Sequence, residues 1–377
     1  MALLSRERAP IAVYGATGYT GRLVAAELEA SGSDFIISGR DEAKLSALAE
    51  ELGTSAPLRT VSIDDPEGLR ELLVDCSVVV DCAGPFSLYG EPVLSAAVDT
   101  ATHYLDTTGE QPYIRLAYER YGEAAKDAGV AVVPGMGFDY VPGDMIAALT
   151  AEGMGELDDV ILAYRTNFQP TRGTTKSALE MIKGGDVEWR KLELRPASQS
   201  VSRGSFDFGE PIGVKRMTRY PAGEHLTVPR HVPTRRVQTM LSADSLVPTP
   251  LAPLMPALFR PAGIAMRTPA KGVVSALVSR MPEGASPKAR AEATWTIVCE
   301  VRRGKKIRRG MISGRDVYGL TAALITKGAR IASGRGFSGR GGLAPSQAFE
   351  PRSFLEGFDE FSLEWQVEPP AERENGH

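Results

Sequence analysis

Residues Ile11 to Asp41 read "IAVYGATGYTGRLVAAELEASGSDFIISGRD", and this stretch decides the fold. A short apolar run, IAVY, leads into three glycines spaced three apart, Gly15, Gly18 and Gly21. A helical pattern follows and closes at Gly32, the position glycine favours just past a helix. A second apolar run, FIIS, ends about 20 residues beyond the last glycine, as in a dinucleotide-binding βαβ unit. In such a unit Gly15 permits the tight turn and Gly18 lets the backbone approach a pyrophosphate. Gly21 lets helix and strand pack closely. The backbone N–H groups of Ala16, Thr17, Gly18, Tyr19 and Thr20 then face the phosphates at the helix N-terminus. A plain glycine-rich turn is the competing reading, and the strand before and helix after argue against it.

The end of the second run chooses the nucleotide. An Asp or Glu there would bond a ribose 2′-hydroxyl and repel a 2′-phosphate. This chain offers Ser38, Gly39 and Arg40, with Lys44 one turn along. A guanidinium binds phosphate and stacks on adenine, so NADP(H) is the expected cofactor. Asp41 reads as the cap of the next helix. Asp64, near the end of a third strand, is placed for adenine. Ala83, Gly84 and Pro85, ending a fourth, are placed where the nicotinamide ribose meets backbone.

The alternation continues to about residue 150. Strands at PIAVYG, DFIISG, LRTVSID, SVVVDCAG, HYLDTTG and VAVVPGMG are separated by helical segments, including GEPVLSAAVDTA and YIRLAYERYGEAAKDAG. Crossovers of this length imply a parallel sheet covered on both faces. Beyond it, DDVILAYRT, RVQTML, ATWTIVCEVRR and KKIRRGMISG read as longer antiparallel strands, and VYGLTAALITKGARIA as a late helix. The expected fold class is α/β: an N-terminal Rossmann doubly wound parallel sheet with a second α+β domain on a mixed or antiparallel sheet. The expected boundaries are 1–145 for the NADP-binding domain, 146–335 for a substrate and dimerisation domain, and 336–377 for a C-terminal return segment and tail.

The composition excludes several classes. The chain has 377 residues, too many for one ordinary core. A net charge of −4 gives no signal for nucleic acid. Three cysteines without a CxxC pair suit a reducing, cytoplasmic setting, and four histidines show no metal spacing, so no metal is expected. MALLSRERAP lacks the apolar core of a signal peptide. Residues 246–270 hold six prolines among apolar residues. They read either as a packed loop or cover, or as an apolar lid meeting lipid or a membrane surface.

Several motifs together, YGATGYTGRLVA, SGRD, DCAGPFSLYGEPVLSAA, YLDTTGE and GFDYVPGD, resemble the saccharopine dehydrogenase-like oxidoreductases. Within that group the chain is most similar to the trans-acting enoyl reductases of bacterial polyketide and lipid pathways. The likeness is dense over 10–150 and thins to TRGTTKSALE and GGLAPSQAFEPRSFLEGF beyond. It implies NADPH as hydride donor and an α/β domain whose open sheet closes over the nicotinamide. It leaves the acceptor open between a C=C bond of a carrier-bound acyl chain and a C=N bond of an amino-acid adduct. The expected partners are a small-molecule or carrier-bound acyl substrate, with a second copy of the chain or a lipid surface as further contacts.

Three loops are expected to ring one crevice: Tyr89 after GPFSL; Asp106, Thr107 and Glu110 in YLDTTGE; Asp139, Tyr140 and Asp144 in GFDYVPGD. Reduction of an enoyl thioester needs a proton donor at the α-carbon and a group on the carbonyl oxygen. Tyr89 is the candidate for the proton, and Lys176, with Thr174, Thr175 and Ser177, for the oxygen; Asp106 is a further catalytic candidate, and for an imine a carboxylic acid or lysine would protonate or bind the nitrogen. Each has a plainer reading: Tyr89 as a packing residue, Asp106 as a turn or cap residue, Lys176 as half of a surface pair with Glu180. A carboxylate-rich imine substrate would instead call on converging arginines among Arg165, Arg172, Arg190, Arg203, Arg216 and Arg219. A third reading is an NADP-binding scaffold or sensor without catalysis.

Overall fold

The structure is a computed structural model and describes residues 9–177, 185–197, 204–245, 278, 280 and 283–372. The chain forms two compact units. The first comprises residues up to Val141 together with Tyr318–Phe349; the second comprises Pro142–Val317 and the chain from Glu350 onward.

In the first unit, strands β1 (Ile11–Tyr14), β2 (Phe35–Gly39), β3 (Leu58–Thr60), β4 (Val78–Asp81), β5 (His103–Asp106) and β6 (Ala131–Val133) alternate with helices. These are α1 (Tyr19–Ala30), α2 (Glu42–Leu52), α3 (Pro66–Leu73), α4 (Phe86–Asp99) and α5 (Gln111–Asp127). All strand pairings are parallel, and the strand order reverses on either side of β1, with β2 and β3 to one side and β4, β5 and β6 to the other. That reversal creates the crevice at which doubly wound sheets bind nucleotides. Every side chain of β1 and β4 is buried, as helices on both faces require.

The late helix Val317–Ala332, expected in the second domain, packs in the first unit from Tyr318 onward. Gly328 explains the close approach: a Cβ there would meet Met136 at 2.8 Å and Leu105 at 3.2 Å. Thr321 adds a specific tie, its hydroxyl accepting from the Phe138 amide at 3.0 Å. The chain then contributes Gly341–Gly342 as a seventh parallel strand beside β6. The expected boundaries at 145 and 335 are corrected accordingly.

The second unit opens with α6 (Val141–Ala151) and β7 (Asp159–Thr166). β8 (Val187–Arg190) and β9 (Glu193–Pro196) form a separate two-stranded hairpin, bridged to the chain before β12 at Arg190 and Arg236. The main sheet adds β10 (Ser205–Asp207), β11 (Val214–Arg219), β12 (Val237–Ser242), β13 (Thr294–Arg303) and β14 (Lys306–Arg315). Between β14 and the C-terminal strands lies the short β15, the Gly341–Gly342 strand of the first unit; β16 (Glu364–Val367) and β17 (Ala371–Glu372) both pair with β14. The β13–β14 hairpin and β7–β13 are antiparallel as expected, but β12 runs parallel to β7. RVQTML is too short to reveal its direction, which the long connection before it decides. Thr150 and Ile146 of α6 pack over Gly310 of β14, where a Cβ would meet Thr150 Oγ1 at 2.1 Å. The proline-rich residues 246–270 and Glu180 lie outside the described residues. Among those described, no helix is long and apolar enough to cross a membrane.

Candidate functional site

The glycine loop has the geometry its spacing implies. Gly15 sits at φ +75°, and a Cβ on it would meet the Ala83 nitrogen at 2.9 Å. A Cβ on Gly21 would lie 2.3 Å from the Gly15 carbonyl oxygen. Gly18 is exposed and caps α1 in an extended conformation, with no side-chain cap and no acid in the first turn. Ala16 is buried and its amide donates to the Ser38 carbonyl at 3.1 Å, tying the loop to the end of β2. The Thr17 carbonyl accepts from Arg22 Nε at 3.4 Å. Tyr19 stands edge-on to Tyr318, ring centroids 5.3 Å apart.

The neighbouring helices contrast with α1. Asp41 accepts from the Lys44 amide at the start of α2, and Asp65 from the Gly68 amide at the start of α3. At α4 the carboxylate of Glu110 accepts from the amides of Phe86 at 2.8 Å and Ser87 at 2.9 Å. Of the five helices, α2, α3 and α4 start on the chain's own carboxylates, while α1 and α5 have no side-chain cap; α1, which follows the glycine loop, offers its positive end to an external anion. The α1 amides could hold a dinucleotide pyrophosphate.

At the end of β2, Gly39 and Ser38 are buried and Arg40 is exposed. Ser38 does not present its hydroxyl to the crevice; it donates to the Val13 carbonyl at 2.8 Å. Arg40 acts on the Tyr14 hydroxyl electrostatically, against burial that pushes the Tyr14 phenol up. Lys44 is exposed and paired with Asp41 at 3.4 Å. Asp64 is exposed, its amide bonded to Ser62 Oγ at 3.3 Å. Arg59 of β3, not singled out from sequence, is exposed and in register with Ser38.

The loop after β4 adjoins the glycine loop through the Gly15–Ala83 approach. Ala83 is half-buried, Gly84 exposed and Pro85 buried. The expected helix start at Gly90 moves to Phe86, because Glu110 supplies the missing N-terminal acceptors. Tyr89 therefore lies in the first turn of α4, 42% exposed beside Leu88 at 53%.

Beneath this loop lies a buried polar cluster. Asp81 and Asp106 are cross-strand partners at the ends of β4 and β5, both fully buried. Asp81 Oδ1 accepts from the Ala83 amide at 2.9 Å, and its Oδ2 accepts from the Tyr104 hydroxyl at 3.1 Å. Tyr104 and Tyr113 share a hydrogen bond of 2.7 Å. Asp106 Oδ1 accepts from the Thr108 and Gly135 amides at 2.8 and 2.9 Å, while its buried Oδ2 makes no hydrogen bond. Burial pushes the Asp81 carboxyl up to about 8 and that of Asp106 up to about 7, each further raised by a neighbouring carboxylate. Asp106 thus lies under the loops and does not line their surface. Tyr140 donates to the Gly109 carbonyl at 2.7 Å and pins the third loop.

The second unit holds its own buried groups. Asp144 is fully buried and lies 2.8 Å from His231 Nε2. Tyr164 donates to the buried Glu224, and both crowd Gly143, which has no room for a Cβ. His225 Nδ1 accepts from the Trp189 amide and its Nε2 faces Thr239 Oγ1 at 3.0 Å. Burial and Arg219 push His225 down to about 3, matching a neutral ring. Lys176 is exposed in the helical residues 172–177, which Thr171 caps through the Thr174 amide. The arginines named for a carboxylate-rich substrate are mostly paired: Arg165 with Asp244, Arg172 with Glu283, Arg190 with Glu188 and Arg219 with Asp186. Arg203 lies outside the described residues. Isolated aspartates and tyrosines carry no periodic signal, so none of these buried pairs was legible as a pair.

Residues 11–133 match the family described as saccharopine dehydrogenase NADP binding domain. A trans-acting enoyl reductase of Mycobacterium tuberculosis is 31% identical over 209 residues, which is 52% of this chain and 50% of that protein. A saccharopine dehydrogenase-like oxidoreductase of Rattus norvegicus is 30% identical over 192 residues, 45% of each chain. The chain spans about half the length of the curated relatives it matches. Apo saccharopine dehydrogenase (L-Glu forming) of Saccharomyces cerevisiae superposes with a TM-score of 0.60 at 13% identity, over 96% of this chain and 100% of that one. That likeness shows a common fold. Over residues 11–133 the first unit is similar to the saccharopine dehydrogenase NADP-binding domain, and the cofactor is NADP(H).

Proposed function

We propose that the chain is an NADPH-dependent oxidoreductase that reduces a C=C bond of an acyl thioester. The observation that carries the oxidoreductase reading is the uncapped α1 N-terminus behind Gly15, Gly18 and Gly21, within a segment matched to an NADP-binding family. The α1 amides would hold the pyrophosphate and Arg40 the 2′-phosphate, with Arg59 near enough in register to assist. Bound there, NADPH supplies a hydride. The remaining tasks fall to the chain: a proton for the α-carbon and a hold on the carbonyl oxygen. Tyr89, exposed in the first turn of α4, is the proposed proton donor. The paired state of four candidate arginines favours a substrate poor in carboxylates, hence the acyl thioester over an amino-acid adduct.

The test mixes the purified chain with NADPH and an α,β-unsaturated acyl thioester, or with a keto acid and an amine, and follows NADPH absorbance. The expected result is consumption with the thioester, and a kcat lower by about 10²-fold in Tyr89→Phe if general acid catalysis is lost. Consumption only with the keto acid and amine would replace this reading by C=N reduction. Tight NADPH binding without turnover of either would replace it by a non-catalytic sensor.

A further inference from the structure

We infer that Asp81 and Asp106 act as one proton-holding acid beneath the cofactor loop, keeping a proton under the reduced nicotinamide and releasing it when the nicotinamide is a cation. The inference rests on the NADP reading and is independent of which bond is reduced.

Four features of the first unit carry it. The two carboxyls are register partners on adjacent parallel strands, on one face of the sheet and fully buried. Their Oδ1 atoms are committed to backbone amides of three loops, so any proton belongs on the Oδ2 side. On that side Asp106 Oδ2 has no hydrogen bond, and Asp81 Oδ2 meets Tyr104. The tyrosine pair serves either protonation state. With Asp81 ionised, Tyr113 donates to Tyr104 and Tyr104 donates to Asp81. With Asp81 protonated, both hydroxyls turn and the chain of hydrogen bonds runs the other way.

The ionisable groups around the pair are Glu110 and Tyr113 of the α5 start, Tyr104 of β5, Tyr14 of β1 and Cys82. None of these is a cation. Glu110 is already engaged by the α4 amides, and burial pushes the Cys82 thiol up and keeps it neutral. Two buried carboxylates without a cation repel each other, so holding one proton is the lower-energy state near neutral pH. A positive charge brought onto the Ala83–Pro85 loop, directly above, offsets that repulsion and favours the ionised pair. Reduced nicotinamide carries no such charge.

The readout is the ratio of dissociation constants, Kd(NADPH) over Kd(NADP+), measured by titration from about pH 6 to 9, where perturbed acids of this kind titrate. The 2′-phosphate ionises equally in both forms and cancels from the ratio. For one added charge attraction across the loop, the ratio should rise about tenfold with pH in the wild type. Asp81→Asn mimics the protonated acid, its carboxamide still accepting from Ala83 and donating to Tyr104. In it the ratio should be flat. Calorimetry on the wild type in buffers of different ionisation enthalpy gives a second measure: proton release on binding NADP+ and little on binding NADPH. A flat wild-type ratio, a slope retained in Asp81→Asn, or equal proton release by both forms would each overturn the inference. If neither nucleotide binds at any pH, the NADP reading falls and the inference with it; if both bind and the ratio is flat, only the inference falls.

Discussion

The loops after β1 and after β4 are built from the same parts: a buried parallel strand, a glycine-bearing turn, and a helix that begins at the sheet's carboxyl edge. At β1 the turn ends in Gly18, and α1 starts without a capping side chain. At β4 the turn ends in Pro85, and α4 starts with both first amides on Glu110. The same helix dipole is left for an external anion at one loop and neutralised internally at the other. The lesson is one of charge allocation. On the proposed reading, the pyrophosphate and 2′-phosphate would sit at β1 and β2, leaving the loop after β4, above a pair of buried acids, to the nicotinamide ring.

This contrast can be broken most severely at Gly21. Alanine there drives a Cβ into the Gly15 carbonyl at 2.3 Å and Ala16 at 2.8 Å. Overpacking against backbone should cost about 3 kcal/mol of stability and weaken NADPH by about 100-fold. Chemical denaturation and nucleotide titration check both. Next in size, Arg40→Ala should weaken NADPH by about 1.5–3 kcal/mol, roughly 10- to 150-fold, and leave NADH within about twofold. An equal loss for both nucleotides would detach Arg40 from the 2′-phosphate. The smallest effect sharpens the other side. Glu110→Gln keeps one acceptor for the α4 amides and should cost about 1 kcal/mol in a urea midpoint. It should change NADPH and NADH affinity alike. A selective loss of NADPH would mean that α4, too, takes part in holding the phosphates.

Much of the first unit was legible because its signals are local. Asp41 caps α2 as its position before a helical pattern implies, and Gly15 takes the positive φ that its place in the turn requires. Gly15 and Gly21 leave no room for a Cβ against backbone, whereas a Cβ on Gly18 would lie 3.3 Å from the Gly15 carbonyl oxygen. Ser38 was legible as a residue at the strand end, but its hydroxyl faces Val13 because the adjacent parallel strand leaves a carbonyl within reach. Asp106 was legible as the end of a strand; its burial and its pairing with Asp81 were not, since strand order comes from the packing of both helical layers. The second unit was read only as strands in sequence. The parallel pairing of β12 with β7 escaped that reading, as did the paired arginines, because neither leaves a pattern along the chain.

The sequence by itself determined the βαβ unit, the glycine loop and the caps of α2, since each depends on residues within one turn or one strand of each other. Only the tertiary structure decided which helix starts stay open, that the late helix and Gly341–Gly342 complete the first sheet, and that Asp81, Asp106, Tyr104 and Tyr113 share one buried site. Those outcomes depend on which strands become neighbours. That is set by the burial of two helical layers against a common sheet, and no short stretch of the chain encodes it.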